Sequence, residues 1–409
     1  MAQTFKRLFA LSLIAAATLA AADADADAGR GLVFLYSFCA KGDWPCSDGD
    51  TPGSVIADSS GNLYGTTLFG GNDVENVCGT AGCGTVFKVS SKGVETVLYA
   101  FCQKSGCTDG HGPSRMPLIR DAKGNLYGAS PGGAYDYGMV FKLTADGIET
   151  VLYSFSASQP GPTSGVIMDV AGNFYGTNDG LAHGECGSAF RLDSKGKYTD
   201  LHDFGQSGDA CVPAGGLFED KNGNLYGTTE QGGTANKGAV FKIGSDGSYG
   251  VLYSFCSQSN CTDGETPESS LIQDAAGNLY GTTWQGGAGG FGTAYKLAGS
   301  GKETVLHAFC NCGDGGDPVA PLLEVGNLFY GTTQIGESYG GVIFKLSGRK
   351  ETAIYRFSGN GIVAPVIKLK DWIYGTTYSG GVYGSGAVFK LGNPTKRLSR
   401  YPGTRYPGT

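Results

Sequence analysis

Apolar residues in this chain come in short runs, and four kinds of run recur in a fixed order. The first resembles Glu-Thr-Val-Leu-Tyr-Ser-Phe and ends at Phe38, Phe101, Phe155, Phe204, Phe255, Phe309 and Phe357. The second is short, as in Ser270-Leu271-Ile272-Gln273-Asp274. The third carries Tyr-Gly. The fourth resembles Gly-Ala-Val-Phe-Lys-Leu, with aromatics at Phe87, Phe141, Phe190, Phe241, Tyr295, Phe344 and Phe389. Runs of this length, rich in β-branched and aromatic residues and bounded by Gly, Asp or Asn, predict strands. Helical spacing is absent beyond the first stretch of the chain.

The third run sits in a heptapeptide close to Gly-Asn-Leu-Tyr-Gly-Thr-Thr. Its tyrosines are Tyr64, Tyr127, Tyr175, Tyr226, Tyr280, Tyr330 and Tyr374, at intervals of 63, 48, 51, 54, 50 and 44. A period near fifty marks a repeat architecture. Leu63 and Tyr64 are neighbours and point to opposite faces of a sheet, yet both are large. A sheet that is apolar on both faces must be covered on both, as propeller blades are by their neighbours. The chain enters on a first-type run (Leu32 to Phe38) and leaves on a fourth-type run (Gly386 to Leu391), so the N-terminal strand is expected to complete the last blade. The prediction is a seven-bladed β-propeller of four-stranded antiparallel blades over 32–391. A solenoid, the main alternative, needs caps that this pattern does not supply.

Small residues or proline open each second run: Ser54, Pro117, Gly165, Gly216, Ser270, Pro321 and Pro365. They suit a crowded axis, so the expected order from the axis outward is second, third, fourth, first. Tight turns such as Asp58-Ser59-Ser60-Gly61-Asn62 join second to third runs, and others such as Ser91-Lys92-Gly93 join fourth to first. The two remaining connections are long and share the opposite face, which is therefore the variable one.

The first 22 residues read as a signal peptide: Lys6 and Arg7, an apolar run from Leu8 to Leu19, then Ala20-Ala21-Ala22. Residues 23–31 are a short linker and 392–409 a disordered basic tail. No later stretch is apolar enough to cross a membrane. Without Lys6 and Arg7 the chain carries 28 basic and 37 acidic residues, a net charge of 28 − 37 = −9. That excludes nucleic acid and anionic lipid as the main partner. Glycine, 71 of 409 residues, clusters at the turns rather than in low-complexity tracts.

The unit Pro-x-x-x-Leu-Ile-x-Asp-x-x-Gly-Asn-Leu-Tyr-Gly-Thr-Thr, followed by Gly-Gly and Gly-x-Val-Phe-Lys-Leu, resembles the bacterial GloVer tandem repeat. It is fullest from Pro267 to Leu297 and recurs less completely in six other units. The resemblance implies an exported repeat protein of undetermined activity whose members often carry C-terminal anchors. This chain instead has a tandem Arg-Tyr-Pro-Gly-Thr from Arg400 to Thr409. Leu-Ile-x-Asp-x-x-Gly-Asn-Leu-Tyr is more remotely similar to NHL-repeat and gluconolactonase-like propellers, a likeness of fold that transfers no activity.

Twelve cysteines in an exported chain imply six disulfides. Local spacing pairs Cys39 with Cys46, Cys78 with Cys83, Cys102 with Cys107 and Cys256 with Cys261. Cys186 and Cys211 lie in successive long loops, and Cys310 and Cys312 remain, separated by one residue. An acid follows the cysteines at Asp48, Asp109, Asp263 and Asp314, each before glycine. These aspartates are candidates for a hard cation, calcium first, or for sugar hydroxyls; as plain turn residues they need no ligand. Trp44 and Trp284 lie in long loops, where an indole can stack on a sugar or cover the loop's own base. His111 and His183 belong to the same face, whereas His202 and His307 replace the first run's tyrosine and are expected to pack. No elbow, zincin, phosphate-loop or Asp-box motif is present. The polar second-run residues Arg120, Glu219, Gln273 and Glu324 are scattered one per blade, so no catalytic residue is assigned and no cofactor beyond the calcium candidate.

The reading is an exported, secreted or periplasmic, monomeric binding scaffold. Its long-loop face would contact a protein or a polysaccharide. A cation-dependent hydrolase or lactonase at the channel mouth and a structural envelope protein are the alternatives.

Overall fold

Seven antiparallel sheets, each built from the four predicted runs, close into a ring. The computed structural model describes residues 31–392 except 44, 72–76, 114–116, 160, 163, 179, 181–185, 337–339 and 358–363. The expected leader, nearly all of the linker and all but the first residue of the tail lie outside the described residues, as do Trp44 and His183. Blade 1 is Asp50–Ala57, Leu63–Phe69, Thr85–Val89 and Glu95–Ala100, paired in that order. Blades 2, 3, 5 and 6 repeat the pattern from Ile119, Val166, Ile272 and Leu323. In blade 4 the first strand is split into Ala210–Pro213 and Phe218–Glu219, both pairing with Leu225–Gly232.

Blade 7 settles the topology. Ile367–Leu369, Trp372–Thr377 and Ala387–Gly392 take their fourth strand from the other end of the chain, Leu32–Ser37. Leu32 pairs with Leu391 and Ser37 with Ala387. Closure leaves no blade face uncovered, and the core is accordingly a set of seams between blades. Tyr64 and Val86 of blade 1 pack with Leu118, Leu126 and Phe141 of blade 2. Phe38 and Val388 of blade 7 pack with Val55, Leu63 and Phe87 of blade 1. Among the described residues there is no α-helix, only three short 3-10 turns.

Each position of the heptapeptide has a structural task, seen clearly in blade 5. Gly277, at φ +84°, makes the turn. Asp274 takes the amides of Ala276 and Asn278 on Oδ1, and the Asn278 side chain (2.7 Å) and the Tyr280 hydroxyl (2.9 Å) on Oδ2. Lys296 of the neighbouring strand lies over the Tyr280 ring, 5.6 Å from its centre. Thr282 donates across the seam to Ala320 O (3.4 Å), and Thr283 bonds within its blade to Thr293 (2.9 Å).

The glycine after the tyrosine serves packing rather than turning. A Cβ at Gly65 would stand 2.7 Å from Phe87 Cζ, so the glycine is the slot into which the fourth-run aromatic fits. The same relation joins Gly128 to Phe141, Gly176 to Phe190 and Gly375 to Phe389. Tyr-Gly and Val-Phe therefore recur together because one makes room for the other.

The pattern did not announce one feature. In every blade the pairing of the two outer strands slips by a residue beside that aromatic, as between Val86 and Phe87 or Val140 and Phe141. In blade 1 Phe87 pairs with Val97 and Val86 with Tyr99, leaving Leu98 as the extra residue of a bulge. Val97 and Tyr99 consequently sit on opposite faces although they are two residues apart. This turns the tyrosine toward the long loop that follows it.

Candidate functional site

The long loops begin where those bulged strands end, and the tyrosine determines what the loop aspartate does. Asp48, Asp109 and Asp263 are 0% exposed. Tyr36 donates its hydroxyl to Asp48 at 2.5 Å, Tyr99 to Asp109 at 2.6 Å and Tyr253 to Asp263 at 2.8 Å. Backbone amides of Ala40, Gln103 and Ser257 complete these sites. Where histidine replaces the tyrosine it takes over the contact, His307 to Asp314 at 2.9 Å and His202 to Asp209 at 3.0 Å. Each aspartate thus organises its own loop, and the structure does not gather the four Asp-Gly residues into one site.

The cysteines tie the same loops. Disulfides join Cys39–Cys46, Cys78–Cys83, Cys102–Cys107, Cys186–Cys211, Cys256–Cys261 and Cys310–Cys312. Among the described residues, every group of three potential metal ligands within 4.8 Å contains such cysteines, whose sulfurs are already bonded. His111 packs against Gly132, with Nε2 3.5 Å from Asp136 Oδ1. Six disulfides indicate an oxidising, exported environment, and no helix of the described residues is long and apolar enough to cross a membrane.

Unrepeated chemistry appears at the inner end of the long-loop face. The position after Thr-Thr is Leu68 in blade 1, Glu230 in blade 4, Trp284 in blade 5, Gln334 in blade 6 and Tyr378 in blade 7. Here the first strand is extended upward: Trp284 donates its amide to Thr266 O (2.9 Å), and Gln334 to Asp317 O (3.2 Å). Side chains at this position lean on the next blade, as Leu68 does on Gly112. Glu230 therefore approaches blade 5, where it acts on Glu268, and Trp284 approaches Asp317 of blade 6.

The backbone beneath this cluster is strained. Thr266 and Asp317 have φ of +57° and +58°, as do Thr51 (+59°) and Val212 (+58°), each just before a proline. At Thr51, Val212 and Thr266 a left-handed β-branched residue is a genuine outlier, whereas aspartate at 317 tolerates the same conformation more readily. Thr266 and Asp317 are held because their amides are bound by the preceding blade, to Lys237 O and Phe291 O, both at 2.9 Å. The crossing between blades is thereby fixed, and with it the direction of the side chains at the mouth.

The electrostatics follow from crowding. Burial, then the charges of Glu230 and Asp317, push Glu268 up to about 7. Burial also raises Asp317, opposed by the Trp284 indole N–H. That N–H is buried and faces the carboxylate without completing a well-aligned bond. A Lys237–Glu265 ion pair (2.6 Å) flanks the group. The cluster thus brings one indole together with three carboxyl groups, of which Glu268 is the one held protonated up to about 7. Of these residues the sequence reading had singled out only Trp284. Glu230, Glu268 and Asp317 come from three repeats, and the signal that could have found them is the departure of each from its equivalents. Two further clefts open on the tight-turn face, one beside Lys142 and Ser194, the other beside Lys242 and Gly299, and are lined by repeat residues.

Solved structures with this ring share little sequence with it. A puromycin hydrolase S511A mutant complexed with PGG has a TM-score of 0.54 at 13% identity, over 85% of this chain and 53% of that one. A gluconolactonase from Xanthomonas campestris gives 0.44 at 12% identity, over 88% and 89%. A chain of the nidogen/laminin complex gives 0.43 at 16%, over 69% and 97%. At such identities the likeness is one of fold. No curated protein sequence matches this one. The family model of the Gloeobacter/Verrucomicrobia repeat matches residues 51–275 and 257–401.

Proposed function

We propose that this chain, which belongs to the Gloeobacter/Verrucomicrobia repeat family, is an exported binding scaffold that takes a polysaccharide at the mouth of its ring, over blades 4 to 6. The observation that carries this reading is the Trp284 indole set among Glu230, Glu268 and Asp317, in a fold whose other repeated polar groups are spent on structure. An indole offers a face for the C–H side of a sugar ring, and carboxylates accept from its hydroxyls. The acidic surround disfavours polyanionic glycans, so a neutral or amino-bearing polysaccharide fits best. Secretion or periplasmic residence accords with the disulfides.

Affinity electrophoresis of the purified chain through gels loaded with soluble neutral and cationic polysaccharides tests the reading. At least one glycan is expected to retard the wild type. Trp284→Ala is expected to lose about 30-fold in affinity, the equivalent of about 2 kcal/mol for an anchoring aromatic. No retardation by any glycan, or retention unchanged in folded Trp284→Ala and Glu268→Gln variants, overturns it. A hydrolase or lactonase at the same place is the second reading, because Glu268 keeps its proton close to neutral pH beside Asp317. Turnover of a polysaccharide or lactone that disappears in Glu268→Gln while binding survives decides for that reading.

A further inference from the structure

The loop aspartates have a second relationship, across the seams. The outermost strands of blades 1, 2 and 5 begin with Glu95, Glu149 and Glu303, and that of blade 6 carries Glu351 as its second residue, after Lys350. Each interacts with the aspartate of the loop leaving the preceding blade: Glu95 with Asp48, Glu149 with Asp109, Glu303 with Asp263 and Glu351 with Asp314. The repeats vary together in this respect. Where the preceding loop carries Asp209, the equivalent residue is Tyr249, which donates to that aspartate. Where the loop carries Gln159 in the aspartate's place, it is Tyr198, and in blade 7 it is Leu32. Glutamate stands in this position only opposite an aspartate.

Each aspartate receives a tyrosine or histidine and at least one backbone amide, which anchor it within its own loop. The opposing glutamates are left wanting a partner. Oε1 is buried and unpartnered in all four, as is Oδ1 of the fully buried Asp48. Two carboxylates in one seam repel, and a shared proton relieves them. Glu149 differs, because Lys104 Nζ lies 2.7 Å from its Oε2.

We propose that the Glu95–Asp48, Glu303–Asp263 and Glu351–Asp314 seams are proton latches, each holding one proton between two carboxyls in the acidic range and losing it toward neutrality, while Lys104 keeps the fourth seam closed without one. The groups facing these carboxyls are Lys41 and Tyr36 at Glu95, Arg349, Tyr253 and Tyr295 at Glu303, and Arg356 at Glu351, with His307 behind Asp314. Burial is the main cause that lifts Glu95, Glu303 and Glu351 from 4.5 to about 7, with the aspartate adding to it and the nearby cation opposing. Glu149 is also raised by burial, against the Lys104 charge.

A raised folded-state value means that the stabilisation is full below 4.5 and is lost as the pH climbs to about 7. Between these limits unfolding releases up to three protons, so the unfolding constant rises by at most about a thousandfold per pH unit, and less after solvent screening. The test is a series of melts of the full mature chain from pH 5 to pH 9 at fixed ionic strength, with and without calcium. The wild type is expected to lose melting temperature between pH 5 and 7.5, and the triple variant Glu95→Gln, Glu303→Gln, Glu351→Gln to lose most of that slope, keeping the smaller part that Glu268 at the ring mouth contributes. Should the triple variant not fold, Glu303→Gln alone and a carbon-13 titration of the glutamate carboxyls give the same answer. A slope unchanged by the substitutions, or carboxyl resonances titrating at ordinary values, overturns the proposal. So does a calcium-induced rise at pH 8 that vanishes in the Gln variants, which would make the seams cation sites instead.

Discussion

Replacing Thr376 by valine removes one hydrogen bond at the point where the two ends of the chain meet. Thr376 Oγ1 donates to Gly53 O at 2.7 Å, joining blade 7 to blade 1 across 323 residues of sequence. Thr376 is 0% exposed and Gly53 is buried, so water cannot take over the bond. Valine matches threonine in shape, so little cavity is created and the effect isolates the polar term. Leaving a buried carbonyl without its donor costs about 1–3 kcal/mol. In a ring of this size that is a shift of a few degrees, about 2 °C per kcal/mol or slightly less. The same bond crosses other seams from Thr228 to Ser269 O (2.9 Å) and from Thr332 to Ala364 O (3.3 Å). Urea unfolding with the disulfides intact is the assay, with Thr376→Ser as the variant that keeps the hydroxyl and Thr228→Val as the interior comparison. Thr376→Val within about 0.5 kcal/mol of wild type would refute the reasoning. If Thr376→Ser is as damaging as valine, the threonine methyl rather than the hydrogen bond carries the seam.

Further expectations follow from other parts of the fold. Gly65→Ala drives a methyl into Phe87 and should destabilise by about 1–3 kcal/mol in the same assay, whereas Gly277→Ala acts through backbone strain alone. Removing Cys186–Cys211, a separation of 25 residues, should lower stability by about 3.5 kcal/mol. Removing Cys256–Cys261, a separation of 5, should cost about 2 kcal/mol, so an equal loss in paired Cys→Ala variants would count against loop entropy as the cause. At Asp58, Asp121, Asp169, Asp220 and Asp274 burial opposes ionisation, but the hydrogen bonds from the following asparagine, tyrosine and amides outweigh it and hold each carboxyl low. Their stabilisation is present above 3.8 and is lost as the pH falls through the lowered values. With the seam glutamates acting from the other side, the stability maximum is expected at about pH 4–5; a calorimetric maximum at neutral pH would contradict the glutamates, and stability undiminished down to about pH 2 would contradict the aspartates.

Much of the architecture was legible because the repeat had to encode it seven times. A blade cannot bury its faces alone, so every unit carries the same Tyr-Gly, Val-Phe and Asp-x-x-Gly-Asn devices, and their spacing gives the strands and turns directly. Closure could be read from a chain that enters on Leu32–Phe38 and leaves on Gly386–Leu391, since an open ring would expose a strand edge at each end. Four disulfide pairs followed from local spacing within short loops; Cys186–Cys211 rested on two loops sharing a face, and Cys310–Cys312 was left open by the sequence and is joined in the structure.

Other features depend on relations between units, which no single unit contains. The outer-strand bulge lies beside the aromatic that fills the glycine slot, and just past it Tyr36, Tyr99 and Tyr253 reach the loop aspartates. Asp48, Asp109 and Asp263 are thereby anchored within their own loops. Glu230, Glu268 and Asp317 lie in successive repeats with nothing local to connect them, and the seam glutamates are neighbours of aspartates more than thirty-five residues earlier. Local sequence determines strands and turns because those depend on backbone geometry and alternation of side chains. The charges that share a seam or a mouth are decided only when the ring closes, because burial and proximity are properties of the assembled blades.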